Sequence, residues 1–583
     1  MKIFLDLWWF FRLEKKRYII GIVMLITVTL LELFVPYVIR IIVDHGTAKT
    51  LTAGILLKWT LLVFISGILV YGCRYVWRVQ LFGAAHRLGQ LLRDRFYQHL
   101  TKQSPTFYQR HRIGKLMAHG TNDIQAVTYT AGDGVMVIVD GLIGGIMIIS
   151  TMVFFIDWKL TLLAMLPMPI MAWTASYYGK LLHHRFKKAQ EAFEDMTEDV
   201  QQNISSVRMI KAFGKQDSEL SQFKKRMNQI VSTNLSAARI DALYDPTIFI
   251  ITGVSFLISI GFGSWFVLQG KITIGQLTQF TFYIGDLIWP MLALGWLFNI
   301  IERGRASYGR LQKLLQDEEP IIQVSQPIKQ LPSGEVKIYI PRFTYPNSNL
   351  VALQKLDLNI FPRQTIGLVG RTGSGKTTLL RLLLREFELT EGQIRLSEID
   401  HRHIALKTLR VAFGYVPQEH MLFSTTIAEN IAFGYPAATP EEIEQAARDA
   451  QVHDDILQFA QGYQTVVGER GVTLSGGQKQ RISIARAILL KPEILILDDA
   501  LSAVDAKTEQ QIIQMIRQKR QDQTTIIVAH RLSAVEHADQ IWVFEQGEVI
   551  DSGTHRELAK KSGWYQQTLL RQQTLTEGLE GRR

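Results

Sequence analysis

The sequence predicts an α-helical membrane domain of six spans, with long helical extensions outside the bilayer, followed by an α/β P-loop nucleotide-binding domain. Three observations carry this. Apolar runs long enough to cross a bilayer crowd the chain before residue 300. A polar, proline-punctuated stretch then begins at Asp317-Glu318-Glu319-Pro320, with Pro327 and Pro332 close behind. Beyond it, β-rich segments alternate with helix formers, and Gly370-Arg371-Thr372-Gly373-Ser374-Gly375-Lys376-Thr377-Thr378 matches the phosphate-cradling pattern G-x-x-x-x-G-K-[ST]. At 583 residues the chain exceeds a single core. The expected division is residues 1–315 for the membrane, 316–335 for a linker and 336–583 for the nucleotide.

The first eleven residues are aromatic and apolar, lack a small-residue cleavage site and run into Arg12, Lys15, Lys16 and Arg17. They read as an amphipathic helix lying on the cytoplasmic membrane face. Six apolar runs follow, over residues 18–39, 55–79, 135–156, 160–178, 246–268 and 277–300. Asp157-Trp158-Lys159 is all that separates the third from the fourth, and the turn near residues 269–276 is also short. The two long segments between spans carry Arg87, Arg93, Arg95, Lys102, Arg110, Arg112 and Lys115, then Lys180, Arg185, Lys187, Lys188, Lys211, Lys224 and Lys225. Basic segments inside and short turns outside predict a multi-pass protein of the bacterial cytoplasmic membrane with both termini in the cytoplasm. That asymmetry also accounts for the formal charge of +11, so no nucleic-acid partner is expected. Residues 189–210 and 220–240 are polar helix formers with little Gly or Pro, so helices should continue beyond the bilayer. The single Cys73 excludes an intramolecular disulfide.

In the second half, Thr365 to Val369 reads as a buried strand and Thr377 to Leu384 as the start of a helix, the context a P-loop requires. Backbone N–H groups from Gly373 to Thr377 would wrap phosphates at a helix N-terminus. Lys376 would reach the β- and γ-phosphates of ATP, and the Thr377 hydroxyl would ligate Mg²⁺. Asp498 ends the apolar run Ile494-Leu495-Ile496-Leu497 and fits the role of holding that Mg²⁺ through water.

With Leu474-Ser475-Gly476-Gly477-Gln478 lying between the P-loop and this aspartate, the chain resembles an ATP-binding-cassette (ABC) exporter, a half-transporter of the bacterial multidrug type. The resemblance implies ATPase activity coupled to transport and assigns further roles. Tyr345, in Phe343-Thr344-Tyr345-Pro346, matches the aromatic that stacks on adenine, beside the P-loop residues Gly370, Gly373, Ser374, Gly375, Lys376, Thr377 and Thr378. Gln418 matches the Q-loop glutamine that senses Mg²⁺, and His530 the switch histidine near the γ-phosphate. Ser475, Gly476, Gly477 and Gln478 would approach a γ-phosphate held by a second subunit. Gly468-Glu469-Arg470-Gly471 resembles the X-loop, and Ser502-Ala503-Val504-Asp505 the D-loop. Coupling helices are expected at residues 108–123 and 205–213.

One departure from the pattern is informative. The residue after Asp498, where the family has the glutamate that polarises the attacking water, is Asp499. Losing a methylene retracts the carboxylate by about 1.5 Å, and a misplacement near 1 Å costs on the order of 100-fold in rate. The expected reading is a nucleotide-binding but hydrolytically weak site in a heterodimer whose other half-transporter carries the working glutamate. A homodimeric exporter of lipid or peptide, or an ATP-gated channel or regulatory subunit, is the alternative; a soluble chromosome- or repair-type ATPase fits poorly with six spans. Glu32, Asp140 and Asp286 fall within predicted spans, and the last span carries Phe280, Phe282, Tyr283, Trp289, Trp296 and Phe298. Acids among aromatics suit small amphipathic or cationic compounds, but interhelical hydrogen bonding serves equally as their role.

Overall fold

A computed structural model describes residues 2–318, 321, 323–332, 334–346, 348–468 and 474–580. The chain forms two compact units: Met1–Thr101 with Arg112–Asp317, and Lys102–His111 with Glu318–Arg583.

The first unit is helical throughout. Among the described residues, five helices are long and apolar enough to cross a membrane: Lys15–Thr47, Ala53–Lys102, Ile113–Phe155, Gln216–Leu268 and Ile274–Gln316. The fourth expected span differs. Pro167 cannot donate to the helical ladder, and the chain divides around it into Trp158–Met165 and Met168–Ser205. Asp157 caps the first piece, accepting from the Leu160 N–H at 2.8 Å. At 1.5 Å rise, the 50 residues of Ala53–Lys102 extend about 75 Å, far beyond a hydrocarbon core of roughly 30 Å. Helices therefore do continue out of the bilayer, and Met168–Ser205 and Gln216–Leu268 pair along that length through Arg226–Asp199 at 3.0 Å and Arg185 to Ser236 at 3.0 Å.

Where apolar side chains face lipid, helix contacts come from small residues and polar bonds. Ser255 Oγ donates to the Ala164 carbonyl at 2.9 Å, Tyr283 to the Leu33 carbonyl at 2.8 Å and Thr130 to the Ile300 carbonyl at 3.1 Å. Asp44, near the end of the first long helix, accepts from Thr273 Oγ1 and the Gly275 N–H, both at 2.9 Å, and so fixes the start of the last span. The N-terminal segment is helical, over Lys2–Asp6 and Trp8–Leu13. Its buried stripe of Ile3, Leu7 and Phe10 is taken up by the unit itself, leaving Leu5, Trp8, Trp9 and Leu13 exposed.

The expected first coupling segment needs correction. A short helix spans Pro105–Arg110, opening at a proline in its first turn, and belongs with the second unit. From Ile113 onward the chain is already the next long helix. The second coupling segment holds a six-residue helix, Val207–Ala212, none of whose residues is buried.

Among the described residues the second unit carries ten strands: β1 (Val336–Thr344), β2 (Val351–Ile360), β3 (Thr365–Gly370), β4 (Gln393–Leu396), β5 (Ile399–Asp400), β6 (Phe413–Val416), β7 (Ile494–Asp498), β8 (Thr524–Val528), β9 (Gln540–Glu545) and β10 (Glu548–Gly553). They form an antiparallel sheet, β2-β1-β4-β5, and a larger one, β10-β9-β3-β8-β7-β6, parallel from β9 to β6. Every residue of β7 and β8 is buried, as expected of parallel strands covered on both faces. The pleat sorts their side chains. Ile494, Ile496, Ile526 and Val528 join one apolar cluster with Leu379, Leu380 and Phe387. Leu495, Leu497 and Ile527 join the opposite cluster with Ile482, Ala485 and Ile512. The C-terminal ends of the parallel strands meet along one edge, with Val416 opposite Leu497 and Asp498 opposite Val528. In an open α/β sheet this is the edge at which ligands bind.

Candidate active site

The loop after β3 is built around glycines that no other residue replaces without strain. Gly375, at φ +105°, caps the helix Lys376–Leu383, and a Cβ there would lie 2.6 Å from Leu353 Cδ2 and 2.9 Å from the Ala352 carbonyl. Gly370, at φ +144°, lies against the Phe544 carbonyl of β9. The loop is thereby pressed onto its own sheet, and the free N–H groups of the helix start face outward, a ready anion site.

Lys376 is buried and folds over this loop. Its ammonium donates to the Gly370 and Arg371 carbonyls, both at 2.9 Å, and to Ser374 Oγ at 3.3 Å. Burial lowers its pKa, against the opposing pull of Asp498 and Asp499. A cation held by neutral carbonyls, with its carboxylates at a remove, is poised to take phosphate oxygens in their place. One residue on, Thr377 Oγ1 donates to Asp498 Oδ1 at 3.1 Å, and the Tyr415 hydroxyl at the end of β6 lies 3.4 Å from Asp498 Oδ2. Burial raises the Asp498 pKa; hydrogen bonds from Thr377 and Tyr415 oppose this, and the neighbouring charge of Asp499 adds to it. Thr377, in the first turn of the helix after the P-loop, and Asp498, at the end of β7, are thus side by side.

Asp499 turns the chain away from β7 at φ +51°, a left-handed conformation that Asp tolerates better than most side chains. Its backbone is fixed at both ends. The N–H donates to the Val528 carbonyl at 3.0 Å, and the carbonyl accepts from Ser502 Oγ at 3.0 Å. Its carboxylate has no hydrogen-bond partner among the described residues. Asp499 and His530 line one cleft with Ser502, Glu509 and Arg531. Gln418, two residues past β6, is exposed on the same edge.

Tyr345 is more committed than a free stacking platform. Its hydroxyl lies 3.0 Å from Thr378 Oγ1, and its ring packs edge-on to Phe343 and Phe387. Ser475 caps the helix Gly476–Leu489: its Oγ accepts from the Gln478 N–H at 3.2 Å, while Gln478 Oε1 accepts from the Ser475 N–H at 3.0 Å. Ser475 and Gly476 are exposed, and no hydrogen bond among the described residues joins this cap to the P-loop. Of the X-loop-like stretch, Glu469, Arg470 and Gly471 lie outside the described residues.

Two residues that the sequence left unmarked belong to this machinery. Gln480 is buried and joins the helix after Gln478 to the D-loop, donating to Ser502 Oγ at 3.1 Å and accepting from the Ala503 N–H at 2.9 Å. Glu509 is buried and accepts from Arg531 at 3.1 Å. A polar residue on the inward face of a predicted helix was the available signal for both.

In the membrane unit, Glu32 pairs with Arg74, and Asp140 accepts from Trp289 Nε1 at 2.7 Å. Interhelical bonding therefore accounts for both acids. Asp140 sits in the π-helical stretch Ile138–Ile143, one of three within Ile113–Phe155, and such bulges recur at functional sites. Asp286 has no partner among the described residues and shares a cavity with Glu32, Arg74, Asp140 and Trp289.

Residues 18–291 match the ABC transporter transmembrane region and residues 353–502 the ABC transporter ATPase family. A multidrug resistance-like ATP-binding protein, MdlA, from Escherichia coli K12 is 47% identical over 580 residues, covering 100% of this chain and 98% of that protein. A probable multidrug resistance ABC transporter ATP-binding/permease protein, YheI, from Bacillus subtilis 168 is 43% identical over 97% of each. Among solved structures, a bacterial Atm1-family ABC exporter with ATP bound superposes with a TM-score of 0.78 at 25% identity, covering 96% of this chain and 99% of that one. The chain belongs to the ABC transporter family: a multi-pass membrane region fused to the ATPase that drives transport.

Proposed function

We propose that this chain is the hydrolytically weak half of a heterodimeric exporter of small amphipathic compounds, residing in the bacterial cytoplasmic membrane with both termini inside. The observation that carries the reading is Asp499, a short carboxylate on a backbone pinned by Val528 and Ser502, where the family has glutamate. ATP would bind with its phosphates on the Gly373 to Thr377 amides, replacing the carbonyls now held by Lys376. Tyr345 would meet the adenine, Gln418 and His530 would report on the γ-phosphate, and Asp499 would stop short of the attacking water. Ser475 to Gln478, intact and with Ser475 and Gly476 exposed, would complete the partner's ATP site.

Thr377 and Asp498 fit Mg²⁺. They supply one hydroxyl and one carboxylate, and no cluster of three or more His, Cys, Asp or Glu able to hold a metal occurs among the described residues. Mg²⁺ takes few protein ligands and keeps water and phosphate oxygens. When bound, it supplies positive charge against the phosphates.

For cargo, the membrane cavity supports an amphipathic cation. Beside the Glu32–Arg74 pair, Asp286 lines the same cavity as Trp289 and Phe282 without a hydrogen-bond or ion-pair partner among the described residues. The multidrug names of the relatives point the same way. The test is transport by the co-expressed pair in proteoliposomes. Asp286→Asn should reduce movement of a cationic dye while sparing a neutral one. Equal loss of both, or of neither, would remove Asp286 from substrate recognition.

A further inference from the structure

The segment that follows β8 is gripped from outside the sheet by the last helix of the chain. That helix, Trp564–Glu580, is seated by Tyr565, which is buried with its hydroxyl 2.8 Å from His555 Nδ1, and by Trp564 and Leu569 against the core. Two turns on, and therefore on the same face, comes Gln572. Its Nε2 donates to the His530 carbonyl at 3.0 Å, and its Oε1 accepts from the Leu532 N–H at 3.0 Å. One side-chain amide thus makes the pair of bonds that a neighbouring strand would make, across 42 residues of sequence. On its other flank the same segment is tied by Glu509, which accepts from Arg531 and from Ser533 Oγ, each at 3.1 Å. The imidazole of His530 is left exposed, in the cleft it shares with Asp499.

We propose that Gln572 is a positioning residue for His530: its amide fixes the backbone on either side of Arg531, so the last helix of the chain sets where the imidazole stands over the phosphate site. Displacing that helix would release the histidine without touching the nucleotide pocket. The proposal rests on reading His530 as the residue that faces the γ-phosphate. A Gln does this and a Glu does not, because only the amide offers a donor to the His530 carbonyl and an acceptor to the Leu532 N–H together.

The test measures release of a fluorescent ATP analogue from the purified full-length chain, with hydrogen exchange of residues 530–533 as a second readout. Gln572→Met keeps the length and apolar contact and removes both bonds; loss of two ordinary hydrogen bonds corresponds to about tenfold faster release. Gln572→Glu keeps the bond from Leu532 and sets a carboxylate against the His530 carbonyl, so it should also speed release and exchange. The discriminating arm is the His530→Ala background, in which Gln572→Met should add nothing to release, since residues acting through one another are not additive. If His530→Ala alone leaves release unchanged, the reading of His530 fails. If His530→Ala speeds release but Gln572→Met does not, or if the two effects simply add, the positioning role fails.

Discussion

Replacing Asp499 by Glu should awaken the ATP site on this chain. The substitution adds one methylene and carries the carboxylate about 1.5 Å further out. The native backbone cannot make up that reach, because its N–H is held by Val528 and its carbonyl by Ser502, both at 3.0 Å. A general base displaced by this much loses on the order of 100-fold, which is about 2.7 kcal/mol in the barrier. The gain must be read at this site alone. The assay is therefore steady-state ATP hydrolysis by the co-expressed pair in which the partner's own catalytic glutamate has been changed to glutamine. With native Asp499 this complex should turn over slowly, and Asp499→Asn should change little. Asp499→Glu should raise turnover by about tenfold or more, allowing for imperfect placement of the longer side chain. No gain from Asp499→Glu, together with collapse on Asp499→Asn, would refute the reasoning and make Asp499 the working base.

Other outcomes follow from the same geometry. Lys376→Ala removes the ammonium that holds the Gly370 and Arg371 carbonyls, and photolabelling of this chain by an azido-ATP should fall by about tenfold or more, the cost of a charge-assisted contact. Burial pushes His420 and His537 down to about 4, so both are neutral in the folded unit. Below an unfolded value near 6.5 the unfolded chain binds protons that the folded one refuses, so stability is full above that value and is lost as pH falls toward 4. The loss is about 2 kcal/mol per histidine by pH 5; thermal unfolding from about pH 7 to 5 should show it, and His420→Leu should flatten the slope. Lys159 lies over Trp158, and Lys271 over Trp265 and Phe266, a grouping of the kind enriched at membrane interfaces. In a chain lacking Cys73, cysteines at these two positions should react with an impermeant reagent from outside, and reaction only from inside would overturn the topology.

The parts of this molecule that were legible in the sequence are those where local chemistry and global fold agree. Gly370 and Gly375 are dictated by a positive-φ backbone path with close neighbours, and Lys376 and Asp498 stand out at the ends of a buried strand–loop–helix and an apolar strand. The break at Pro167 was hidden because hydropathy runs evenly across it while proline acts on the hydrogen-bond ladder. Residues 108–123 do not form one separate segment, because Pro105 opens a short helix that ends at Arg110 and the next long helix starts at Ile113. Tyr345 and the membrane acids depended on tertiary partners: Thr378, Arg74 and Trp289 lie far away in sequence. Gln480, Glu509 and Gln572 are of this kind too, ordinary helix residues whose importance comes from what they touch.

In the proposed heterodimer this chain holds ATP at its own P-loop and lends Ser475 and Gly477 to a partner's working site. The most direct measurement is steady-state ATPase of the full-length chain purified alone, compared with the chain co-expressed with a second half-transporter that carries glutamate at the position matching Asp499. Alone, any homodimer has Asp499 at both sites, and turnover should be slow and indifferent to Asp499→Asn. With the partner it should rise by about 100-fold and be abolished by Ser475→Arg in this chain. Brisk, drug-stimulated hydrolysis by the lone chain that collapses on Asp499→Asn would contradict the account and establish a homodimer with a working aspartate.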